Sequence, residues 1–183
     1  MQVSNGVEGQ QWTRTLTVHS AAELQRFAAD LGGDLASGDL VILTGGLGAG
    51  KTTFTQGLGR GLGVRPGIIS PTFVLVRVHP PLSDGPALVH ADAYRLESAA
   101  DIDDLDLEST MDTSVTVVEW GAGRVEHLAA SRLEIRLERP VGSETVPHES
   151  PGTDNDDDEP RRVLITAFGQ RWANTPPAAS RLD

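Results

Sequence analysis

The sequence contains no cysteine and few basic side chains. Without cysteine, neither a disulfide framework nor a thiolate zinc site can form. The chain carries 26 acidic against 15 basic residues, which gives a formal charge of −11. A surface with this excess of carboxylates repels the phosphates of nucleic acid. If the protein works in an RNA pathway, we therefore expect it to touch RNA only through partner proteins.

Long apolar runs are also missing from the sequence. No run approaches the length of a membrane span, and the N-terminus lacks a basic-then-apolar signal pattern. We therefore expect a soluble, cytoplasmic protein without a membrane partner. The length of 183 residues suggests one domain with its own core. We predict that this domain spans residues 12–172, between a flexible N-terminus (1–11) and a flexible tail (173–183), with a disordered acidic hairpin loop at 141–160.

Lysine occurs once, at position 51, in a chain with fourteen arginines. It stands in Gly45-Gly46-Leu47-Gly48-Ala49-Gly50-Lys51-Thr52, which fits the pattern of a glycine, four variable residues and Gly-Lys-Thr. In this motif the glycines turn backbone N–H groups toward a phosphate, the lysine reaches the β- and γ-phosphates, and the hydroxyl ligates Mg²⁺. A predicted buried strand (39–44) precedes the motif, and a predicted helix that ends at Gly63 follows it. The sequence therefore predicts a nucleotide phosphate-binding loop.

Hydrophobic periodicity predicts an alternation of strands and helices along the rest of the chain. Ser20 is a candidate N-cap of the first helix, whose apolar face runs from Leu24 to Leu35. One or two short acidic helices are predicted within 97–112. The predicted strands are 12–18, 73–79 and 87–93 as a hairpin, 115–118 as a central strand, and 131–139 and 162–167 as paired edge strands.

Two acidic residues stand at the carboxyl ends of predicted strands, where ligands gather in α/β sheets. Asp92 follows the strand Ala87-Leu88-Val89-His90-Ala91, and Glu119 follows Val115-Thr116-Val117-Val118. One acid could hold Mg²⁺ while the other orients an attacking water, and spacing alone leaves the assignment open. We interpret His90 as a residue that packs in the sheet or bonds to the backbone, in preference to a role near the site.

Four stretches together resemble one family. They are Gly48-Ala49-Gly50-Lys51-Thr52-Thr53-Phe54, Ser70-Pro71-Thr72-Phe73, His90-Ala91-Asp92-Ala93-Tyr94-Arg95-Leu96 and Val118-Glu119-Trp120. In order and spacing they resemble the bacterial tRNA threonylcarbamoyladenosine biosynthesis ATPases of the TsaE (YjeE) family. The resemblance implies a P-loop NTPase-type three-layer α/β fold. In that fold a mixed, mostly parallel central sheet is flanked by helices and carries a C-terminal antiparallel hairpin.

The resemblance also implies the activity and its partners. Members of the family bind and hydrolyse ATP with Mg²⁺ and act with the TsaB and TsaD proteins. Together these proteins add a threonylcarbamoyl group to an adenosine beside the anticodon of tRNAs that read A-starting codons. Hydrolysis in this family is thought to reset the complex between turnovers.

Roles for single residues follow from the same resemblance. Thr52 and Glu119 are implied as metal ligands and Asp92 as the group that positions water, while Lys51 acts on the phosphates. The segment Ser70-Pro71-Thr72-Phe73 resembles a nucleotide-sensing switch, and Trp120 lies beside the metal ligand. Nucleotide contacts are further implied for Thr53 in the phosphate loop. On the adenine side they are implied for Ser20, Ala21 and the late hairpin at Arg161 and Arg162, of which Arg162 is the predicted contact.

Three other functions fit a phosphate loop. A small-molecule or nucleoside kinase would need a basic lid, for which Arg60 and Arg65 are too few and too close to the end of the helix. A GTPase would need an Asn/Thr-Lys-x-Asp element, and the only lysine already belongs to the phosphate loop. A non-enzymatic assembly factor that is held together by nucleotide remains open, and replacing Glu119 by alanine would distinguish it.

Overall fold

A computed structural model describes residues 8–139 and 159–174 of the chain. Strands and helices alternate along most of it, as the periodicity predicts. In chain order the elements are β1 (Gln10–Val18), α1 (Ala21–Asp34), β2 (Leu40–Gly45), α2 (Lys51–Leu62), β3 (Val76–His79), β4 (Ala87–Asp92), α3 (Ala99–Asp103), α4 (Glu108–Met111), β5 (Ser114–Glu119), β6 (Arg132–Glu138) and β7 (Arg161–Phe168), with 3₁₀ turns at Glu126–Leu128 and Gln170–Trp172.

The strands of the described residues form one seven-stranded sheet in the order β1-β7-β6-β2-β5-β4-β3. β2 lies parallel to both β5 and β6, and β4 lies parallel to β5. β7 runs antiparallel to β6 and β1, and β3 runs antiparallel to β4. Most of the strands thus point in one direction, with β6 and β7 as the C-terminal antiparallel hairpin. The predicted mixed, mostly parallel sheet with flanking helices is confirmed.

The two faces of the sheet have separate cores because successive side chains of a strand point to opposite sides. Val41 and Leu43 of β2 pack in the cluster that includes α1 and α2, where Leu24 and Phe54 are fully buried. Leu40 and Ile42, one residue out of phase, belong to the opposite cluster together with residues of α3 and α4. The result is three layers, with α1 and α2 on one side of the sheet and α3 and α4 on the other.

Helix α2 carries the predicted phosphate loop at its start, and glycines bring it close to α1. It ends as predicted at Gly63, which takes the left-handed conformation (φ 71°) and donates its N–H to the carbonyls of Gly59 and Arg60. A Cβ atom built at Gly61 would lie 2.0 Å from the carbonyl oxygen of Ala29 in α1. The backbones of the two helices therefore touch with no side chain between them.

Three predicted strands differ from the structure, one in its bounds and two in their position in the sheet. The strand predicted at 73–79 begins only at Val76, because residues 72–74 form a turn and Leu75 adopts a positive φ of 67°. The carbonyl of Pro71 accepts hydrogen bonds from the N–H groups of Val74 and Leu75, which holds this turn. The prediction that 131–139 and 162–167 are edge strands is wrong, although they do pair with each other. β6 lies between β7 and β2, and β7 lies between β1 and β6, so that β1 and β3 form the edges.

The predicted domain boundaries are only partly covered by the described residues. β1 begins at Gln10, two residues before the predicted start of the domain. Most of the predicted flexible N-terminus, acidic hairpin loop (141–160) and tail (173–183) lies outside the described residues, so those predictions stand as they are. In the described ranges, no helix is both long and apolar enough to cross a membrane.

Candidate functional site

The predicted phosphate loop connects the end of β2 to the start of α2. Gly48 and Gly50 have φ angles of 74° and 105°, which side chains with a Cβ rarely tolerate. The N–H of Ala49 closes the turn on the carbonyl of Gly46 at 3.1 Å. Gly50 caps α2 without a side-chain hydrogen bond. The first N–H groups of α2 lack partners in a preceding helical turn and point out of the helix end, so this terminus is suited to an anion.

The ammonium group of Lys51 lies inside the loop and contacts three groups. Nζ donates hydrogen bonds to the carbonyl oxygens of Gly45 at 2.8 Å and of Gly46 at 3.0 Å. It also stands 4.2 Å from the ring centroid of Trp120, a cation–π distance. Burial lowers the pKa of Lys51, while the negative charges of Glu119 and Asp92 act in the opposite direction. The loop thus holds a buried positive charge where phosphate oxygens would approach the start of the helix.

The two acids predicted at strand ends lie side by side. Asp92 ends β4 and Glu119 ends β5, and the two residues are direct partners in the parallel register. Both are almost fully buried, with 2% and 3% exposure. The hydroxyl of Thr52, at the start of α2, donates to Oε1 of Glu119 at 3.3 Å. The two residues that the family resemblance implies as metal ligands therefore meet at one point, at the carboxyl ends of the central strands.

The predicted switch segment is bonded to Asp92. The Thr72 hydroxyl donates to Oδ2 of Asp92 at 2.7 Å, and the Ser70 hydroxyl lies 2.6 Å from that of Thr72. The N–H of Tyr94 donates to Oδ1 of Asp92 at 2.8 Å. Because both carboxylate oxygens accept a hydrogen bond, the acid is oriented from two sides. A displacement of residues 70–72 would change the surroundings of Asp92 directly.

Trp120 follows Glu119 in an unusual backbone conformation. Its φ of 60° is rare for a bulky residue and costs on the order of 1–3 kcal/mol, so the surrounding structure must hold it. Its N–H donates to the carbonyl of Leu43 at 2.9 Å. Its ring packs at 5.0 Å from that of Tyr94, with an interplanar angle of 52°. This conformation places the indole ring against Lys51.

These groups line one cavity of about 420 Å³. Within the described ranges, no group of three or more His, Cys, Asp or Glu residues could hold a metal ion by itself. Mg²⁺ prefers oxygen ligands and usually keeps several waters or phosphate oxygens, so a hydroxyl and one carboxylate suit it. The Thr52–Glu119 pair fits that requirement. The cavity is lined by Leu47, Gly48, Gly50, Lys51, Thr52, Thr53, Ser70, Thr72, Asp92, Glu119, Trp120, Arg139 and Arg161.

The residues predicted to contact the adenine lie outside the lining of the cavity around the phosphate loop. Arg162 is exposed on the face of β7 opposite to its buried neighbour Arg161, and it is Arg161 that lines the cavity. The hydroxyl of Ser20 accepts a hydrogen bond from the N–H of Glu23, and Ala21 is the first residue of α1. Neither residue lines the cavity around the phosphate loop. Of the two arginines it is thus Arg161 that faces the cavity, while the implied contacts of Arg162, Ser20 and Ala21 stay predictions.

Sequence reasoning gave no role to two residues of the site. Arg139, at the end of the β6–β7 hairpin, lines the cavity and pairs with Glu159 at 3.3 Å. His90 is fully buried, and its Nε2 lies 2.8 Å from Oε1 of Glu119. His90 is thus packed in the sheet, as interpreted, but its side chain bonds to Glu119 and not to the backbone, so the interpretation that it lies away from the site is wrong. One signal was available: residue 90 lies two positions before Asp92 on the same strand, and hence on the same face.

Comparison with known proteins finds relatives along most of the chain. A family model described as threonylcarbamoyl adenosine biosynthesis protein TsaE matches residues 18–145. A tRNA threonylcarbamoyladenosine biosynthesis protein TsaE of Streptomyces coelicolor is 53% identical over 152 residues, which cover 82% of this chain and 93% of that protein. The Bacillus subtilis protein of the same description is 35% identical over 148 residues, 80% of each chain. The crystal structure of Bacillus subtilis YdiB superposes with a TM-score of 0.62 at 28% identity, covering 88% of this chain and 89% of that one.

Proposed function

The chain belongs to the TsaE family of threonylcarbamoyl adenosine biosynthesis proteins, and we propose that it serves this tRNA modification as a Mg²⁺-dependent ATPase. One observation carries the proposal. A buried lysine on a phosphate loop, a hydroxyl–carboxylate pair and a second oriented carboxylate all line one cavity. Phosphoryl transfer to water needs these parts, because its catalysis is mainly positioning and charge stabilisation.

Phosphate binding falls to the loop and to Lys51. The N–H groups at the start of α2 and the ammonium group bind the β- and γ-phosphates of ATP. To do so, Nζ exchanges the carbonyls of Gly45 and Gly46 for phosphate oxygens. This exchange is favourable because the phosphates carry formal negative charge and the carbonyls do not. The positive charge of Lys51 then stabilises the negative charge that develops on the transferred phosphoryl group.

The acids Glu119 and Asp92 have separate roles, in metal binding and in orienting water. Thr52 and Glu119 would hold Mg²⁺, which when bound neutralises negative charge on the β- and γ-phosphates. Asp92 orients the attacking water, and the hydrogen bonds from Thr72 and from the N–H of Tyr94 keep its carboxylate in one orientation. The hydrogen bonds of Ser70 and Thr72 link the switch segment to Asp92. A γ-phosphate that displaces these hydroxyls therefore moves the segment.

Calorimetry and phosphate release test the activity. The wild-type protein is expected to bind Mg·ATP and to release phosphate slowly without forming a phosphorylated acceptor, which separates an ATPase from a kinase. Lys51→Ala should lower turnover by about 10²–10³-fold, as expected for the loss of one charge-stabilising group. Asp92→Asn should keep ATP binding and lower hydrolysis by about 10²–10⁴-fold. Absence of Mg·ATP binding by the folded wild-type protein would refute the proposal.

For the pathway, we propose that the protein acts in the cytoplasm on a complex of TsaB and TsaD and reaches tRNA only through it. The family membership and the excess of acidic residues support this arrangement. Affinity purification from cell lysate with and without ATP should recover both partners. Glu119→Ala distinguishes an assembly factor, because modification that persists in this variant without hydrolysis would mean that nucleotide binding alone suffices.

A further inference from the structure

The buried histidine next to the proposed metal ligand makes a side-chain hydrogen bond that packing alone does not require. We propose that His90 is a positioning residue, whose Nε2–H fixes the Glu119 carboxylate for metal binding with Thr52. The inference rests on the proposed function, since it concerns the same site. It adds a residue that touches neither nucleotide nor metal.

A buried hydrogen bond joins His90 to Glu119, and His90 is its donor. Nε2 of His90 and Oε1 of Glu119 are 2.8 Å apart, and their side chains are 0% and 4% exposed. An ionised carboxylate only accepts hydrogen bonds, so Nε2 carries the proton. Among the described residues, Nδ1 of His90 has no hydrogen-bond partner. The ring therefore makes one directed polar contact, and that contact is with the acid.

Strand register explains why the histidine reaches the acid. β4 and β5 are parallel neighbours, with His90 opposite Val117 and Asp92 opposite Glu119. His90 lies on the same face of β4 as Asp92. Glu119 lies on the neighbouring strand β5, two residues after the register partner of His90. Thr52 reaches the same oxygen, Oε1, from the start of α2. The carboxylate is thus held between a strand residue and a helix residue, with Oε2 outside these two bonds.

A direct metal role for His90 is chemically unfavourable. Mg²⁺ is a hard cation that takes oxygen ligands, and imidazole suits softer metals. Histidines and carboxylates that bond to metal ligands in proteins typically act by fixing the ligand's orientation, and their loss costs about 10–100-fold in metal affinity. A glutamate has several rotatable bonds, so the loss of its buried donor would leave the carboxylate both less ordered and less well satisfied.

Three variants separate positioning from packing. A glutamine at 90 can present an Nε2–H near the position of the imidazole Nε2, whereas an asparagine is too short and a leucine has no donor. The measurement uses Mn²⁺ with ADP as the probe and reads free Mn²⁺ from its electron paramagnetic resonance spectrum. Nucleotide affinity in EDTA is measured in parallel by calorimetry, and thermal unfolding reports whether each variant is folded.

His90→Asn and His90→Leu are expected to raise the Mn²⁺ dissociation constant by about 10–100-fold, with metal-free ADP affinity unchanged. His90→Gln is expected to restore most of the loss. His79→Gln is the matched control, because its ring lies 6.4 Å from that of His90 and the structure gives it no bond to Glu119. If His90→Leu does not fold, the difference between the glutamine and asparagine variants decides.

The outcomes separate this inference from the proposed function. Wild-type Mn²⁺·ADP binding together with unchanged metal affinity in the asparagine and leucine variants would overturn the role of His90 and leave the ATPase proposal standing. Equal loss in the glutamine and asparagine variants would also overturn it, because packing would then explain the effect. Failure of the wild-type protein to bind the metal with nucleotide would instead refute the proposed function itself.

Discussion

An alanine at Gly61 is expected to destabilise the protein, although alanine is the better helix former. Gly61 lies in α2 where that helix crosses α1. An added Cβ would lie 2.0 Å from the oxygen, 2.8 Å from the carbon and 3.0 Å from the Cα of Ala29. All three atoms are backbone, so no rotamer change relieves the contact. Restoring ordinary contact distances of about 3.5 Å requires the two helices to separate by more than about 1 Å.

The size of the effect is a difference between two terms. Replacing glycine by alanine in a helix gains up to about 1 kcal/mol of propensity. Overpacking a tight contact costs about 1–3 kcal/mol, and here the separation also loosens the contacts around Leu24, Phe27 and Leu58 in the same core. Because all three clashing atoms are backbone, we place the cost in the upper part of that range and expect a net loss of about 1–2 kcal/mol in the free energy of unfolding. For a domain of this size the melting temperature should fall by about 2–8 °C.

Gly33→Ala is the matched control on the partner helix. Gly33 lies in the last turn of α1, and a Cβ there meets no atom within 4 Å. That variant should gain about 0.5–1 kcal/mol. Urea unfolding followed by circular dichroism measures both variants against wild type. The close approach of the helices would be refuted if Gly61→Ala were as stable as Gly33→Ala.

Three further predictions concern single residues. Burial lowers the pKa of His79, so the unfolded chain takes up this proton at a higher pH than the native one, and the free energy of unfolding falls as pH drops below about 6.5. His79→Gln should reduce the difference in melting temperature between pH 5.5 and pH 7.5. Trp120→Phe should abolish a fluorescence change on Mg·ATP binding, because its ring contacts the Lys51 ammonium group. Arg161→Ala should weaken ATP binding by about 10-fold, as the loss of a charged hydrogen bond would, whereas Arg162→Ala on the opposite face of β7 should leave the dissociation constant near wild type.

Local sequence signals predicted the elements that carry the site. The limits of α2 follow from the glycine-rich loop before it and from Gly63 after it. A glycine adopts the left-handed conformation that ends a helix without a steric cost. Asp92 and Glu119 could be placed at strand ends, because the mostly apolar runs 87–91 and 115–118 each stop at an acid. In each case the signal lies within a few residues of the feature, so no knowledge of distant contacts is required.

Signals that depend on distant residues were not available in the same way. The sequence 73–79 contains β-branched and aromatic residues, yet its first part is a turn, with Phe73 85% exposed and Leu75 at positive φ. Strand propensity mainly reflects burial against neighbours, and here the neighbours are missing. The internal position of β7 depends on pairing with β1, whose partner residues lie between about 143 (Val18 and Arg161) and about 158 (Gln10 and Phe168) positions earlier. No local pattern of alternation reports such a pairing.

The alternation of side chains between the two faces of a strand predicts one further feature of the site. The buried residues Val163, Ile165 and Ala167 face α1 and α2, and Arg161 is in phase with them while Arg162 is not. Counting in steps of two would therefore have identified Arg161 as the arginine that faces the cavity. The bond between His90 and Glu119 needs more, because it requires the register between two strands separated by two helices in the chain. Register is set by packing of the whole sheet and cannot be read from either strand alone.

The geometry of the phosphate loop explains why its basic residue is a lysine in a chain that otherwise uses arginine. Nζ of Lys51 lies between two convergent carbonyls and the face of Trp120, at 2.8 Å, 3.0 Å and 4.2 Å. An ammonium group is compact and its three donors rotate, so it can exchange carbonyls for phosphate oxygens without moving its stem. A guanidinium is planar and wider, and its donors are fixed in a fork. It would have to displace Trp120, whose backbone is already held at a positive φ directly after Glu119. The same positive charge carried by arginine would thus disturb the proposed metal ligand, which lysine leaves in place.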